Sequence, residues 1–292
     1  MLSLSTRDEP RLAYGFWRYG EADVDVALKM LALVRESGID HLDTADVYGG
    51  QGAFGGAERL MGELRQRAPE LFDGAVVATK AGVEPGSPYN SSSGYLDRAC
   101  DASLKRLRME RVDLFYIHRP DLLTHPEDLA ASLDRLLNAG KIGAIGVSNF
   151  TVAQVDALQA FLDVPVAVHQ LELSVLATAP LFNGALDQAM RARMATAAWS
   201  PLAGGRLLAD AGPDSPALQR IGNAICSLAA EYGSSPEAIA LAFVRAHPAA
   251  ATPILGTRTP ERLRACLACE RIELPRRHWY QLLEASLGVE MP

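Results

Sequence analysis

Short apolar runs alternate with amphipathic stretches from one end of this chain to the other, and that alternation limits the fold more than any other feature. The runs at 11–17, 39–42, 75–79, 112–117, 142–147, 166–170, 195–199 and 252–255 are short and mostly apolar, as expected of strands buried on both faces. Between them lie helix-like stretches at 23–37, 57–67, 94–107, 126–138, 151–161, 181–191, 216–231, 236–246 and 260–269, with a last one at 276–287. In the first, Val26, Met30 and Val34 repeat every four residues and Gly38 stops the helix. Thr151 and Ser235 stand where caps are needed, Pro126 suits a first helical position, and Gly140 follows a helix end. Eight strand–helix pairs predict an α/β fold, the (β/α)8 TIM barrel, with a doubly wound open sheet as the competing architecture. The 292 residues suit one such barrel, and no linker-like composition break divides them, so residues 1–292 are expected to form a single domain.

A barrel of this kind places its active site at the carboxyl ends of the strands. Polar residues end nearly every run here: Asp43, Lys80, His118, Ser148 with Asn149, Gln170, Trp199 with Ser200, and Gly256-Thr257-Arg258. Five residues past Asp43 comes Tyr48. A phenol can give a proton to a carbonyl oxygen, and a cation nearby favours the phenolate left behind. At roughly 4 Å and an effective dielectric near 20, a lysine is worth about 4 kcal/mol to a phenolate before desolvation. Lys80 is therefore expected to lower the phenol's pKa. Asp43 would hold Lys80 charged, and His118 would orient the carbonyl.

Such a proton donor lacks an electron source. No side chain supplies hydride, so a nicotinamide must. Trp199 offers a flat face for its ring, and Ser148, Asn149 and Gln170 offer partners for its carboxamide. Arg258 and Arg262 flank the start of the last barrel helix, where an adenosine phosphate would sit. The segment Gly50-Gln51-Gly52-Ala53-Phe54-Gly55 spells a dinucleotide fingerprint but starts too late after its strand to act as one.

The net charge of −7 argues against nucleic-acid and anionic-membrane partners. No apolar run reaches the roughly 18 residues of a membrane span, and the amino terminus has no apolar signal core, which predicts a cytoplasmic location. Cys100, Cys226, Cys266 and Cys269 suit reduced thiols, and no metal site is expected. A small-molecule carbonyl substrate and a monomer or weak homo-oligomer complete the expectation.

These residues resemble the aldo-keto reductase family along nearly the whole chain. The likeness rests on Leu42-Asp43-Thr44-Ala45 with Tyr48-Gly49, Thr79-Lys80, Ile117-His118-Arg119-Pro120, Gly146-Val147-Ser148-Asn149-Phe150, Gln170 with Glu172, Trp199-Ser200-Pro201-Leu202, and 254–263. Within the family the chain is most similar to a bacterial subgroup of predicted oxidoreductases, through Gly15-Phe16-Trp17 and Ser286-Leu287-Gly288. The resemblance implies NADPH-dependent interconversion of carbonyls and alcohols without a metal. It implies a catalytic tetrad of Asp43, Tyr48, Lys80 and His118. Cofactor contacts are expected at Gly15, Trp17, Asp43, Ser148, Asn149, Gln170, Trp199, Ser200, Pro201, Leu202, Gly204, Arg206, Gly256, Thr257, Arg258 and Arg262. Two positions depart from the family pattern. Gly256-Thr257 stands where many members have Lys-Ser, and Cys266 where they have Asn. The usual lysine for the 2′-phosphate of NADP is thus missing, Arg258 or Arg262 is its expected replacement, and NADH stands as the alternative cofactor. Two rival readings of the barrel are a lyase with Lys80 as a Schiff-base amine and a non-catalytic nucleotide sensor. The loops expected to shape the substrate pocket are 83–93, 122–125, 171–180 and 204–215. The polar Tyr89-Asn90-Ser91 in the first hints at a hydroxylated substrate.

Overall fold

The computed structural model describes residues 11–20, 24–49, 53–207 and 215–291. Eight parallel strands close into a barrel in sequence order. They are β1 (Ala13–Gly15), β2 (His41–Asp43), β3 (Val76–Ala81), β4 (Leu114–Ile117), β5 (Ile145–Ser148), β6 (Val168–Glu172), β7 (Ala195–Trp199) and β8 (Thr252–Leu255). The helices are α1 (Val24–Glu36), α2 (Gly56–Arg67), α3 (Ser93–Leu107), α4 (Pro126–Asn138), α5 (Val152–Gln159), α6 (Ala185–Ala192), α7 (Pro216–Tyr232), α8 (Pro236–Arg245), α9 (Pro260–Leu267) and α10 (Arg276–Leu287). The open-sheet alternative is thereby excluded, because β1 pairs with β8.

Helix starts follow the expected chemistry. Thr151 and Gln154 form a reciprocal capping box on α5. The Ser235 hydroxyl accepts from the Ala238 amide at the start of α8, and Pro126 opens α4. Leu129, Leu133 and Leu136 of α4 are buried, and the chain turns out of that helix at Gly140, φ 71°. The expected start of α1 at Asp23 lies outside the described residues, as do Gly50 to Gly52 and 208–214.

The strands sit differently from the apolar runs. Residues 112–113 and 142–144 precede the ladder proper, and only an isolated Val112–Ile142 bridge links them. At the other end the ladder runs on into polar residues: Lys80 pairs with Tyr116 and Glu172 with Trp199. Hydrophobicity marks what is buried, whereas a strand extends as far as its backbone finds partners. The expected strand 11–17 shrinks to β1, and Trp17 lies beyond it, half exposed. The expected helix 181–191 begins later, after Gly184 at φ 83°. The expected helices 151–161 and 260–269 end early, the latter passing into a 3-10 turn at Ala268–Arg271.

The barrel interior is packed by Ala13, Ala78, Leu114, Tyr116, Val168, Ala197 and Ile254. Its largest member, Tyr116, fits because the facing residue on β5 is Gly146. A Cβ there would lie 2.4 Å from the Tyr116 ring. Two further apolar clusters fill the space between barrel and helices. Among the described residues no helix is long and apolar enough to cross a membrane.

Candidate active site

Inward-facing residues alternate along each strand. On β2 these are His41 and Asp43, on β3 Ala78 and Lys80, and the ladder sets Asp43 opposite Ala78. Lys80 is fully buried and its ammonium is satisfied locally. It donates to Asp43 Oδ1 at 2.5 Å and to the Thr44 carbonyl at 2.8 Å. The Tyr48 phenol stands close enough to this ammonium for each group to shift the other's pKa. Lys80 Nζ lies 5.1 Å from the centre of the Tyr48 ring. The Tyr48 ring meets His118 edge to face, centroids 5.6 Å apart. Asp43 and Tyr48 from β2 and its loop, Lys80 from β3 and His118 after β4 thus meet at one end of the barrel.

Electrostatics differ from the sequence expectation at one point. Burial raises the Tyr48 pKa, Lys80 opposes this, and Asp43 adds to it; the balance leaves the phenol above its ordinary value. Lys80 was expected to prevail and lower it, but the cost of desolvating a phenolate exceeds the attraction. Burial alone would pull the Lys80 pKa down, yet Asp43 and Tyr48 push the other way and win, so the ammonium stays charged. His118 is held neutral, its pKa lowered to about 3 by burial first and then by Lys80 and Arg119.

Gln170 donates from Nε2 to the second oxygen of Asp43 at 2.9 Å. It therefore holds the acid in place, where a carboxamide contact had been expected of it. Asn149 adopts a left-handed conformation, φ 61°, which asparagine tolerates better than most residues. That turn lets its amide donate to Ser148 Oγ at 2.8 Å while its oxygen accepts from the Trp199 indole at 2.9 Å. Ser148, Asn149 and Trp199 are thereby locked into one chain across the ends of β5 and β7.

A cleft of about 270 Å³ begins beside Trp199, at Ser200. Trp17, Ser200, Pro201, Leu202, Gly204, Gly256, Thr257 and Arg262 line it, as expected, together with Arg18, Gly205, Glu237 and Cys266. Gly256 is required there: a Cβ would lie 2.5 Å from the Trp17 indole nitrogen. Three other expected cofactor contacts, Gly15, Arg206 and Arg258, are not among the residues that line this cleft. Gly15 is buried in β1 against Ile254, where a side chain would not fit easily. Arg206 bonds the Ala203 carbonyl at 3.0 Å. Arg258 lies over the Tyr19 ring and reaches the Arg18 carbonyl. Arg18 and Arg262 supply guanidinium donors to the cleft, a set suited to phosphate oxygens.

Other polar residues beside the site were not singled out from the sequence. Asp46 is buried, and its pKa is pushed up to about 8 by burial and by Glu58. Glu58 accepts from Thr79 Oγ1 and from Arg106 Nε at 2.6 Å, tying α2 and α3 to β3. Tyr116 lies beneath Gln170 and Asp43. Its place two residues before His118, in the alternation of β4, was the signal for it.

The closed parallel barrel, with a lysine, an acid and a phenol joined at its rim, defines a barrel oxidoreductase scaffold. The chain belongs to the aldo-keto reductase family, whose model matches residues 11–286. It is 40% identical over 286 residues to a 6-dehydroglucose reductase of Novosphingobium aromaticivorans, covering 96% of this chain and 93% of that protein. A second 6-dehydroglucose reductase, from Agrobacterium fabrum, is 36% identical over 295 residues, covering 96% and 95%. The oxidoreductase YdhF of Escherichia coli is 32% identical over 290 residues, covering 97% and 95%. A crystal structure of a thermostable aldo-keto reductase, determined with the inhibitor epalrestat, shares the fold with a TM-score of 0.80 at 23% identity, covering 94% of this chain and 95% of that one.

Proposed function

We propose that this protein reduces an aldehyde or ketone to an alcohol with NADPH, and that Tyr48 is the general acid. The observation that carries the reading is the buried Asp43–Lys80 pair, whose ammonium lies 5.1 Å from the centre of the Tyr48 ring. A reduced nicotinamide, when bound, would supply the hydride, with Trp199 as the expected aromatic face for its ring. Trp17, Ser200, Pro201, Leu202, Gly256 and Thr257 would hold the nucleotide in the cleft, with Arg18 and Arg262 on its phosphates.

The residues then divide the work. Tyr48 keeps its proton at neutral pH because burial disfavours the phenolate. Neutral His118 presents a ring nitrogen to the carbonyl oxygen and orients it. As that oxygen gains negative charge it takes the Tyr48 proton, and the phenolate so formed faces the Lys80 ammonium. Asp43, itself fixed by Gln170, keeps Lys80 charged and in register.

The substrate we infer is a hydroxylated aldehyde of the sugar type. The two 6-dehydroglucose reductases support this, as does the polar Tyr89-Asn90-Ser91 loop. The experiment is NADPH and NADH oxidation with a panel of sugar-derived and plain aldehydes, with Tyr48→Phe alongside. Removing a positioned acid should lower kcat by about 10²–10⁴ while nucleotide binding persists. Undiminished turnover in Tyr48→Phe would sink the assignment of the acid.

A further inference from the structure

Arg119 follows His118 at the end of β4 and reaches across the barrel mouth to β7. Its guanidinium lies over the Trp199 ring, 5.6 Å from the centroid. Its charge is felt by both Tyr48 and His118. The side chain is half-buried. Among the described residues no carboxylate pairs with it and no acceptor oxygen receives it. The other buried cation nearby is differently placed: Lys80 is matched by Asp43. The acid next along the chain is already engaged. Asp121 accepts from the Ser91 amide at 2.9 Å, the Leu123 amide at 2.9 Å and Thr124 Oγ1 at 2.7 Å.

Lys80 is thus offset by Asp43 and His118 is neutral, so neither of these neighbours pairs with the Arg119 charge. A half-buried guanidinium without acceptors is costly unless something supplies them. A cation–π contact with the indole restrains the guanidinium while leaving N–H donors free to bind. A planar fork of donors matches two oxygens side by side better than one. The chain's own residues do not provide such a pair here, which leaves the guanidinium edge open to a ligand in the mouth.

We infer that Arg119, held over Trp199, is the specificity-determining residue of the mouth and hydrogen-bonds oxygen substituents on the carbons nearest the substrate carbonyl. The inference rests on the reductase reading and deepens it. Vicinal hydroxyls and an anionic group share the required chemistry, a pair of acceptor oxygens. A plain alkyl aldehyde lacks them and leaves Arg119 unsatisfied in the closed complex. Arg119 acts on binding the substrate, whereas Tyr48 and Lys80 act on the proton.

The test compares kcat/KM for glyceraldehyde, glyceraldehyde 3-phosphate and propanal, three-carbon aldehydes that differ in their oxygens, in the parent, Arg119→Met and Arg119→Lys. The parent should favour glyceraldehyde over propanal by about 100-fold, below the limit for a fully enclosed site. Arg119→Met should bring that ratio below about 5-fold, and Arg119→Lys should leave it between the two, since an ammonium lacks the fork. A larger loss on the phosphate than on glyceraldehyde assigns the subsite to anions, and a comparable loss assigns it to hydroxyls. If both glyceraldehyde and propanal fall by the same factor, Arg119 merely tunes Tyr48 and His118, and the inference is overturned. An unchanged ratio overturns it too. Thermal melting and quenching of tryptophan fluorescence by NADPH establish that each variant is folded; should Arg119→Met fail there, the ratio in Arg119→Lys decides. A parent inert towards every aldehyde would remove the reductase reading and this subsite with it, an outcome distinct from an active parent with an unaltered ratio.

Discussion

Replacing Asp43 with Asn tests the physical core of the site. The change keeps the shape and removes one charge, leaving the Lys80 ammonium fully buried with only the Thr44 carbonyl and the Tyr48 phenol as neighbours. Breaking a buried pair from one side costs about 3–5 kcal/mol, because the remaining charge stays out of water without compensation. For a chain of this size that is a fall in Tm of roughly 6–20 °C. The sign of the pH dependence follows. In the parent, Lys80 has a folded pKa above its ordinary value, so its contribution is complete below the ordinary lysine range and fades only as pH rises through the folded pKa. Without Asp43, burial dominates and the folded pKa drops below the ordinary value. The variant then gains stability as pH rises towards that range. The deficit of Asp43→Asn should therefore be largest near pH 7 and narrow by pH 10. Urea unfolding followed by tryptophan fluorescence and circular dichroism measures it. Asp43→Asn combined with Lys80→Met should recover most of the loss, since no buried charge remains. A deficit under about 1 kcal/mol at pH 7, or one that widens with pH, would refute the reasoning.

Two other perturbations probe the supports of the site. Asp46 has a folded pKa of about 8, well above the ordinary carboxylate value; its contribution is full below the ordinary carboxylate range and is lost as pH climbs towards 8. Tm of the parent should fall between pH 6 and pH 9, and Asp46→Asn should flatten that fall; parallel curves would contradict the burial of a protonated acid. Gly146→Ala forces a methyl against the Tyr116 ring, and overpacking of this kind should cost about 1–3 kcal/mol in urea unfolding and disturb Gln170 above it. Unaltered stability would mean the barrel interior is looser than its packing implies.

The sequence by itself determined the architecture and pointed to four residues that the fold brings together, Asp43, Tyr48, Lys80 and His118, because both rest on local pattern. Strand-length apolar runs alternating with capped helices admit few closed solutions, and a polar residue after each run points to the one end where side chains converge. Asp43, Lys80 and His118 were legible for that reason, and Tyr48 by its spacing from Asp43. Ser200, Pro201, Leu202, Gly204, Gly256, Thr257 and Arg262, which line the cleft, were singled out through resemblance.

What only the tertiary structure decided concerns partners distant in the chain. Gln170 meets Asp43 across 127 positions, a pairing no local pattern encodes. Arg258 and Arg262 look equivalent in sequence, but one lies over Tyr19 and the other lines the cleft. Asp46 reads as an ordinary loop acid until Glu58 and Arg106 are seen beside it. The Tyr48 pKa makes the same point. Its direction is the difference between desolvation and the field of Lys80, and burial, the larger quantity here, arises only when the whole barrel has closed.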